Sequence, residues 1–235
     1  MSENMPISQA EACRILATEG WLATAAAAFR SEFLARCQIR TFTSGEQSSI
    51  AGDDTSIGPG MYGVASGQVA LVPGIGPSDT PVAVLFNTGE WCGYAPLFLP
   101  NNVVHFHAVM PTTILCLSIV EVRSMLYAQP EWWKDIAKLA FHAGMRYSAV
   151  SVDLLIPQAE RRLAAMILNH ANCRNSGAAK PIHLSQEELG QTANLSRHPT
   201  RKLLRTFEAR GWISQSYRCI NILQSEHLRA CANSD

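Results

Sequence analysis

No stretch of this 235-residue chain is apolar for long enough to cross a bilayer as a helix; the Ala-rich run 23–29 falls far short of the roughly 20 residues required. The first residues lack a basic region followed by an apolar run, so no secretory signal is expected. There is no C-x-x-C pair either. Cys13, Cys37, Cys92, Cys116, Cys173, Cys219 and Cys231 form an odd, scattered set, which fits reduced thiols packing as small apolar side chains in a cytoplasmic protein. Phosphate-binding glycine loops and nucleophile motifs are missing. The carboxylate doublet Asp53-Asp54 lies in a Gly-containing turn, where solvation accounts for it. Nothing here points to an enzyme.

Net charge is the last absence: 19 Lys and Arg balance 19 Asp and Glu. The balance is a cancellation between two regions. Residues 1–157 hold eight Lys/Arg against 13 Asp/Glu, whereas residues 158–235 hold 11 against six. A basic C-terminal third on an otherwise acidic chain is the pattern of a separate polyanion-binding module. Hydrophobic residues make up 47%, enough for ordered cores in one large or two ordinary domains.

The basic third contains the most organised stretch, LSQEELGQTANLSRHPTRKLLRTFEARGWI, residues 184–213. Ser185 and Glu188 have capping-box spacing, which predicts a short helix. Ala193-Asn194-Leu195 makes a break, and Ser196 is positioned to cap a second helix with Pro199 in its first turn, where no intrahelical N–H is needed. That second helix puts Arg197, His198, Arg201, Lys202 and Arg205 outward and Leu203, Leu204 and Phe207 inward. Two short helices, a tight turn and a basic outer face predict a helix-turn-helix able to enter a DNA major groove. Beyond it, Ile213-Ser214 and Cys219–Leu223 flank 215–218 as a small hairpin, or wing, with Arg218 at the tip within reach of phosphate; the last dozen residues look polar and loosely ordered.

The remainder divides by texture. Residues 1–40 show helical spacing, from Ser8 onward and again over Leu22–Gln38. From Thr41 to Leu117 the chain turns to short apolar runs, 63–72, 81–86, 103–109 and 113–118, punctuated by Gly, Pro and Asn; this predicts an antiparallel barrel or roll. A short helix over 121–127 stops before Pro130. Then Trp133, Ile136, Ala140, Ala143, Tyr147, Val150 and Leu154 follow one another by alternating steps of three and four, the seam of a coiled-coil helix, which predicts a homodimer. Pro157 ends that helix and marks a hinge. The expected fold is α+β, in three parts: residues 1–130 as an antiparallel β-roll of jelly-roll type with flanking helices, 131–156 as a dimerisation helix, and 157–235 as a winged helix-turn-helix.

That order of elements resembles the CRP/FNR superfamily of dimeric transcription regulators over nearly the whole chain, most strongly at 184–191, 195–204 and 208–213. The resemblance implies a dimer on a palindromic site, and RNA polymerase as a further partner of an activator. It places Arg197, His198 and Lys202 at base-reading positions and Ser185, Gln186 and Ser196 at phosphate contacts; Arg201, Arg205 and Arg218 add phosphate attraction. Its middle reading position is acidic in the best-known members and is His198 here, which leaves base preference open.

The resemblance also implies an effector pocket in the roll, with candidates Gly89, Glu90, Trp91, Cys92, Tyr94 and His105. Members that bind cyclic nucleotides carry a Gly-Glu pair, then an Arg that neutralises the cyclic phosphate. Gly89-Glu90 is present, but the place of the Arg reads Asn102-Val103-Val104-His105, so cyclic-nucleotide binding in the usual manner is not expected. An iron–sulfur sensor would need closely spaced N-terminal cysteines, which Cys13 and Cys37 do not supply. A haem sensor would draw on Cys92, His105, His107 or His142, and His105 and His107 share one face of a strand. A second reading from another class is a ligand-binding module whose helix-turn-helix contacts protein.

Overall fold

A computed structural model describes residues 7–49, 58–73, 82, 84–99 and 104–234. The chain forms two compact units, 1–143 and 144–235.

In the first unit, the helical lead-in is three pieces: α1 (Gln9–Thr18), α2 (Gly20–Ala23) and α3 (Ala27–Arg36). Ser8 caps α1, its hydroxyl accepting from the Glu11 amide. The strands β1 (Gln38–Phe42), β2 (Gln47–Ser49), β3 (Gly60–Ser66), β4 (Gln68–Pro73), β5 (Val84–Asn87), β6 (Trp91–Cys92), β7 (Val104–Ala108) and β8 (Thr112–Ser118) follow. They build two antiparallel four-stranded sheets, ordered β1-β8-β3-β6 and β2-β7-β4-β5, and not a closed barrel. The run 63–72, which reads as one strand, breaks at Gly67 into β3 and β4, one in each sheet. Strands β1, β2 and β6 have too little alternation to be seen in the sequence. Asp53-Asp54, Pro100 and 101–103 lie outside the described residues.

Period-two alternation gives the first sheet two different faces. Tyr62, Val64, Ile114 and Cys92 point into a cluster with Phe42, Val69, Val84, Phe86 and Phe106 between the sheets. Met61, Leu115, Leu117 and Trp91 point the other way, onto Leu16, Leu22, Phe29, Phe33, Val122 and Leu126. Edge-to-face rings knit the second cluster: Trp21 to Phe29, Phe33 and Trp91 at 5.9, 6.0 and 6.1 Å, and Phe29 to Trp132 at 5.6 Å. Such pairs each contribute about 1 kcal/mol beyond burial.

Helix α4 (Ile119–Ala128) is capped by Ser118, and a single 3-10 turn leads into α5 (Trp133–Leu154). The Trp21 indole Nε1 donates to the Asp135 carbonyl at 2.7 Å and pins the start of α5 to the lead-in. One face of its first turns is therefore occupied: Ile136 and Leu139 are buried in the core of their own unit. Ile136, placed by heptad spacing in a dimer seam, is thus spoken for; Ala140, Ala143 and Val150 are half-buried, and Trp133, Tyr147 and Leu154 are exposed. A different row of α5 is open: Phe141, Met145, Ser148 and Val152, at steps of four, three and four.

The second unit contains the end of α5, then α6 (Ala159–His170), α7 (Gln186–Thr192), α8 (Arg197–Ala209), the hairpin β9 (Ile213–Ser216) and β10 (Cys219–Ile222), and α9 (Ser225–Asn233). The C-terminal segment that reads as loose is α9, which packs on α6 through buried Leu228 and Ala232. Leu228, Cys231 and Ala232 mark its inner face, a single helical turn of apolar spacing in an otherwise polar stretch. Asp153 is buried and accepts from Asn169 Nδ2 at 2.8 Å and from both ends of the Arg174 guanidinium at 2.9 Å. Arg162 donates to the carbonyls of Ile156 and Ala193 at 2.6 and 2.7 Å. The stretch around Pro157 is fastened by these bonds.

Candidate nucleic-acid interface

The local chemistry of the helix-turn-helix begins at the α7 cap. Ser185 accepts from the Glu188 amide at 3.1 Å and Glu188 Oε2 accepts from the Ser185 amide at 2.7 Å, a complete capping box. Asn194 takes φ 52 and turns the chain, and the Leu195 amide donates to the Gly190 carbonyl at 2.9 Å. Gly190 is where the two helices nearly touch: a Cβ there would stand 2.3 Å from Thr200 Oγ1. Ser196 is the α8 N-cap residue, but its hydroxyl makes no capping bond; its carbonyl instead accepts from Thr200 Oγ1 at 2.9 Å.

His170 ties α6 to α7. Its Nε2 lies 3.0 Å from Thr192 Oγ1, whose own proton goes to the Leu189 carbonyl at 2.8 Å, so the imidazole must donate. Burial, aided by the nearby Arg146 charge, drops the His170 pKa to about 3 and keeps the ring neutral.

Leu204, Phe207 and Thr200 are buried under α8, and Arg197, His198, Arg201, Lys202 and Arg205 stand exposed on its outer side, as the sequence predicts. Two concavities flank this ridge. One, of about 400 Å³, is lined by Gln186, Arg197, Arg201, Arg205, Glu208 and Gln215. The other, of about 440 Å³, is lined by His198, Arg201, Lys202, Arg205, Thr206 and Ala209.

The basic side chains sort by whether the chain itself neutralises them. Among the described residues, Arg197, Arg201, Lys202 and Arg205 have no ion-pair or hydrogen-bond partner for their side chains, and neither do His198 or the Ser196 hydroxyl. Arg210 is paired with Glu160 at 2.6 Å and lies over the Trp212 ring. Arg218 stands at φ 49 in the hairpin turn, and its guanidinium makes two bonds to Glu188, at 3.1 and 2.9 Å. Burial alone would raise the Glu188 pKa; the Ser185 bonds and Arg218 hold it below the ordinary carboxylate value. Arg218, predicted as a wing-tip phosphate contact, is engaged by an acid 30 residues away in sequence. Tyr217 beside it is 93% exposed, and no pattern in the sequence singles it out. The wing itself is firm: β9 and β10 pair from Ile213↔Ile222 to Ser216↔Cys219, and Ile182 bridges to Ile220.

Two of the effector candidates, Trp91 and Cys92, belong to different clusters of the roll. Trp91 lies in the helix-facing core with Tyr94 packed against it, whereas Cys92 faces the space between the sheets. Burial, with the neighbouring Cys116 and Glu90, pushes the Cys92 thiol up to about 12, far from the thiolate a metal prefers. Gly89 takes φ 92, and its carbonyl lies 1.9 Å from where a Cβ on Gly20 would stand, so the Gly89 turn is built for close approach of the lead-in. Glu90 Oε2 accepts from the Asn87 amide at 2.6 Å. The His105 backbone pairs with Ser49 and Val72, and His107 is half-buried two residues on. His142 is exposed on α5. A wider feature of the roll escapes a search for motifs: no Lys or Arg occurs between Arg40 and Arg123.

Residues 161–231 match the Crp-like helix-turn-helix domain family. A CRP-like cAMP-activated global transcriptional regulator of Mycobacterium tuberculosis is 24% identical over 185 residues, covering 73% of this chain and 79% of that protein. A CRP-family transcriptional regulator from Thermus thermophilus shares the fold at TM-score 0.63 and 18% identity, over 83% of this chain and 97% of its own. A CRP/FNR-family regulator from the same organism does so at 0.60 and 19%, over 84% and 99%.

Proposed function

We propose that this chain, a CRP-family transcription regulator by its fold and its Crp-like helix-turn-helix domain, acts as a homodimer that sets two copies of α8 in successive major grooves of a palindromic site. Four cations on one exposed helix, none neutralised by another described residue, carry this reading. Arg197, His198 and Lys202 read base edges; Arg201, Arg205, Ser185, Gln186 and Ser196 hold phosphates. The protein is a cytoplasmic binding protein without a reaction of its own, and RNA polymerase is a partner only if the bound form activates.

The dimer face is on α5. Phe141 is 67% exposed, Met145 57% and Val152 66%, at heptad steps and away from the face Ile136 buries. We assign the seam to this row in place of the one carrying Ile136. In the proposed division of labour, 1–130 senses, 131–156 joins and 157–235 reads.

A cyclic nucleotide is not held in the usual way. The relative from Mycobacterium tuberculosis is cAMP-activated. Here the Glu90 carboxylate is bonded inside its own turn, and residues 41–122 offer no guanidinium or ammonium to a phosphate. Any effector acts by binding two dimer conformations unequally. The function is tested by gel shift against genomic fragments, with and without cAMP. Retention of selected fragments without added nucleotide is expected; no selective retention under either condition would favour the protein-binding alternative.

A further inference from the structure

We infer that Glu208 and Gln215 form a directional relay that positions the wing and Gln186 for DNA, an inference that rests on the DNA-binding reading above. Glu208 is in the last turn of α8, three residues after Arg205, where an acid would ordinarily pair with it. Both of its oxygens go elsewhere. Oε1 accepts from the Gln215 amide at 2.8 Å and Oε2 from Gln215 Nε2 at 2.9 Å. Gln215 Oε1 in turn accepts from Gln186 Nε2 at 2.8 Å. Three elements, α8, β9 and α7, are thereby joined along the edge of the cleft that contains Arg197, Arg201 and Arg205.

The direction of this chain follows from chemistry. A carboxylate only accepts, so the end of Gln215 facing Glu208 is its NH₂; the end facing Gln186 is then its carbonyl, and Gln186 must offer NH₂. Glu208 thus orients two amides that would otherwise be free to flip, and it is not spent on Arg205. A negative charge in a phosphate-facing cleft weakens general attraction to DNA, so its contribution is to selectivity. Glu208 is a positioning residue.

The test uses the full-length protein, with binding to its best selected duplex and to a random duplex of equal length measured between roughly 50 and 200 mM salt. Gln215→Ala changes no charge; it should weaken selected-site binding about tenfold, the worth of a charge-assisted bond, and leave random binding and the salt slope unchanged. Glu208→Gln keeps the size but can donate as well as accept; selectivity should fall by a similar factor while random binding strengthens. The double variant should be no less selective than the worse single variant, because the residues act as one unit. Unchanged selectivity in the single variants, losses that multiply, or equal losses on both duplexes with a lowered Tm would overturn the relay. A wild type unable to separate the two duplexes would overturn the DNA-binding reading, and the relay with it.

Discussion

At the residue scale, exposure alone does not leave a cation free for an anion. Arg201 and Arg218 are both basic and both near the reader, but Arg218 is held by Glu188 and Arg201 is held by nothing described. Sequence identifies residue type and helix face well, which is why Arg197, His198, Arg201, Lys202 and Arg205 are all legible in it. Pairing between residues far apart in the chain leaves no such mark, which is why the engagement of Arg218 is not. Removing Arg197 or Lys202 should cost about 1–3 kcal/mol at one base pair of the selected site and much less on random DNA. Equal losses on both DNAs in titrations would remove the base-reading role.

His170 gives a pH signature at the same scale. Unfolded, it takes a proton near its ordinary 6.5; folded, it resists to about 3. Between these values the unfolded chain binds the extra proton, so stability present above pH 6.5 declines as pH falls, by up to about 1.4 kcal/mol per pH unit. Hydrogen exchange of the α6 and α7 amides should quicken from about pH 7 to about pH 5 beyond its intrinsic dependence. His170→Gln should lose that excess; the same excess in the variant would contradict the assignment.

At the element scale, strong local signals survive and weak ones do not. The capping box, the α8 face and the long α5 are readable because each repeats or caps within one turn or a few. The split of 63–72 at Gly67 is not, since alternation continues across it while the sheet changes. The α5 seam is the instructive case. Two apolar rows run along this helix, and spacing alone does not tell which one Trp21 and the lead-in already cover. If the chain is the dimer proposed above, Phe141→Glu with Met145→Glu should yield a monomer by sedimentation, with the second unit still folded; an intact dimer would return the seam to the other face. Gly190→Ala tests the α7–α8 approach. With Thr200 Oγ1 at 2.3 Å from the new methyl, the helices must separate, at a cost of about 1–3 kcal/mol in urea unfolding.

At the scale of the whole molecule, zero net charge conceals a division of labour. The cations concentrate after Pro157, and 41–122 has none. An acidic, cation-free roll and a basic helix-turn-helix explain why the architecture can be read from the chain while an effector cannot. The roll's ligand would be defined by side chains brought together across two sheets, and the neighbouring candidates Trp91 and Cys92 already face different ways.

The central claim is that unpaired α8 side chains read a two-fold DNA site. Selection of bound duplexes from a random pool, with footprinting of the winners, tests it most directly. The account predicts a palindrome whose half-sites are centred about one helical turn, or roughly 34 Å, apart, and the loss of enrichment in Arg197→Ala. A pool that stays random, or enrichment that survives Arg197→Ala unchanged, would contradict it.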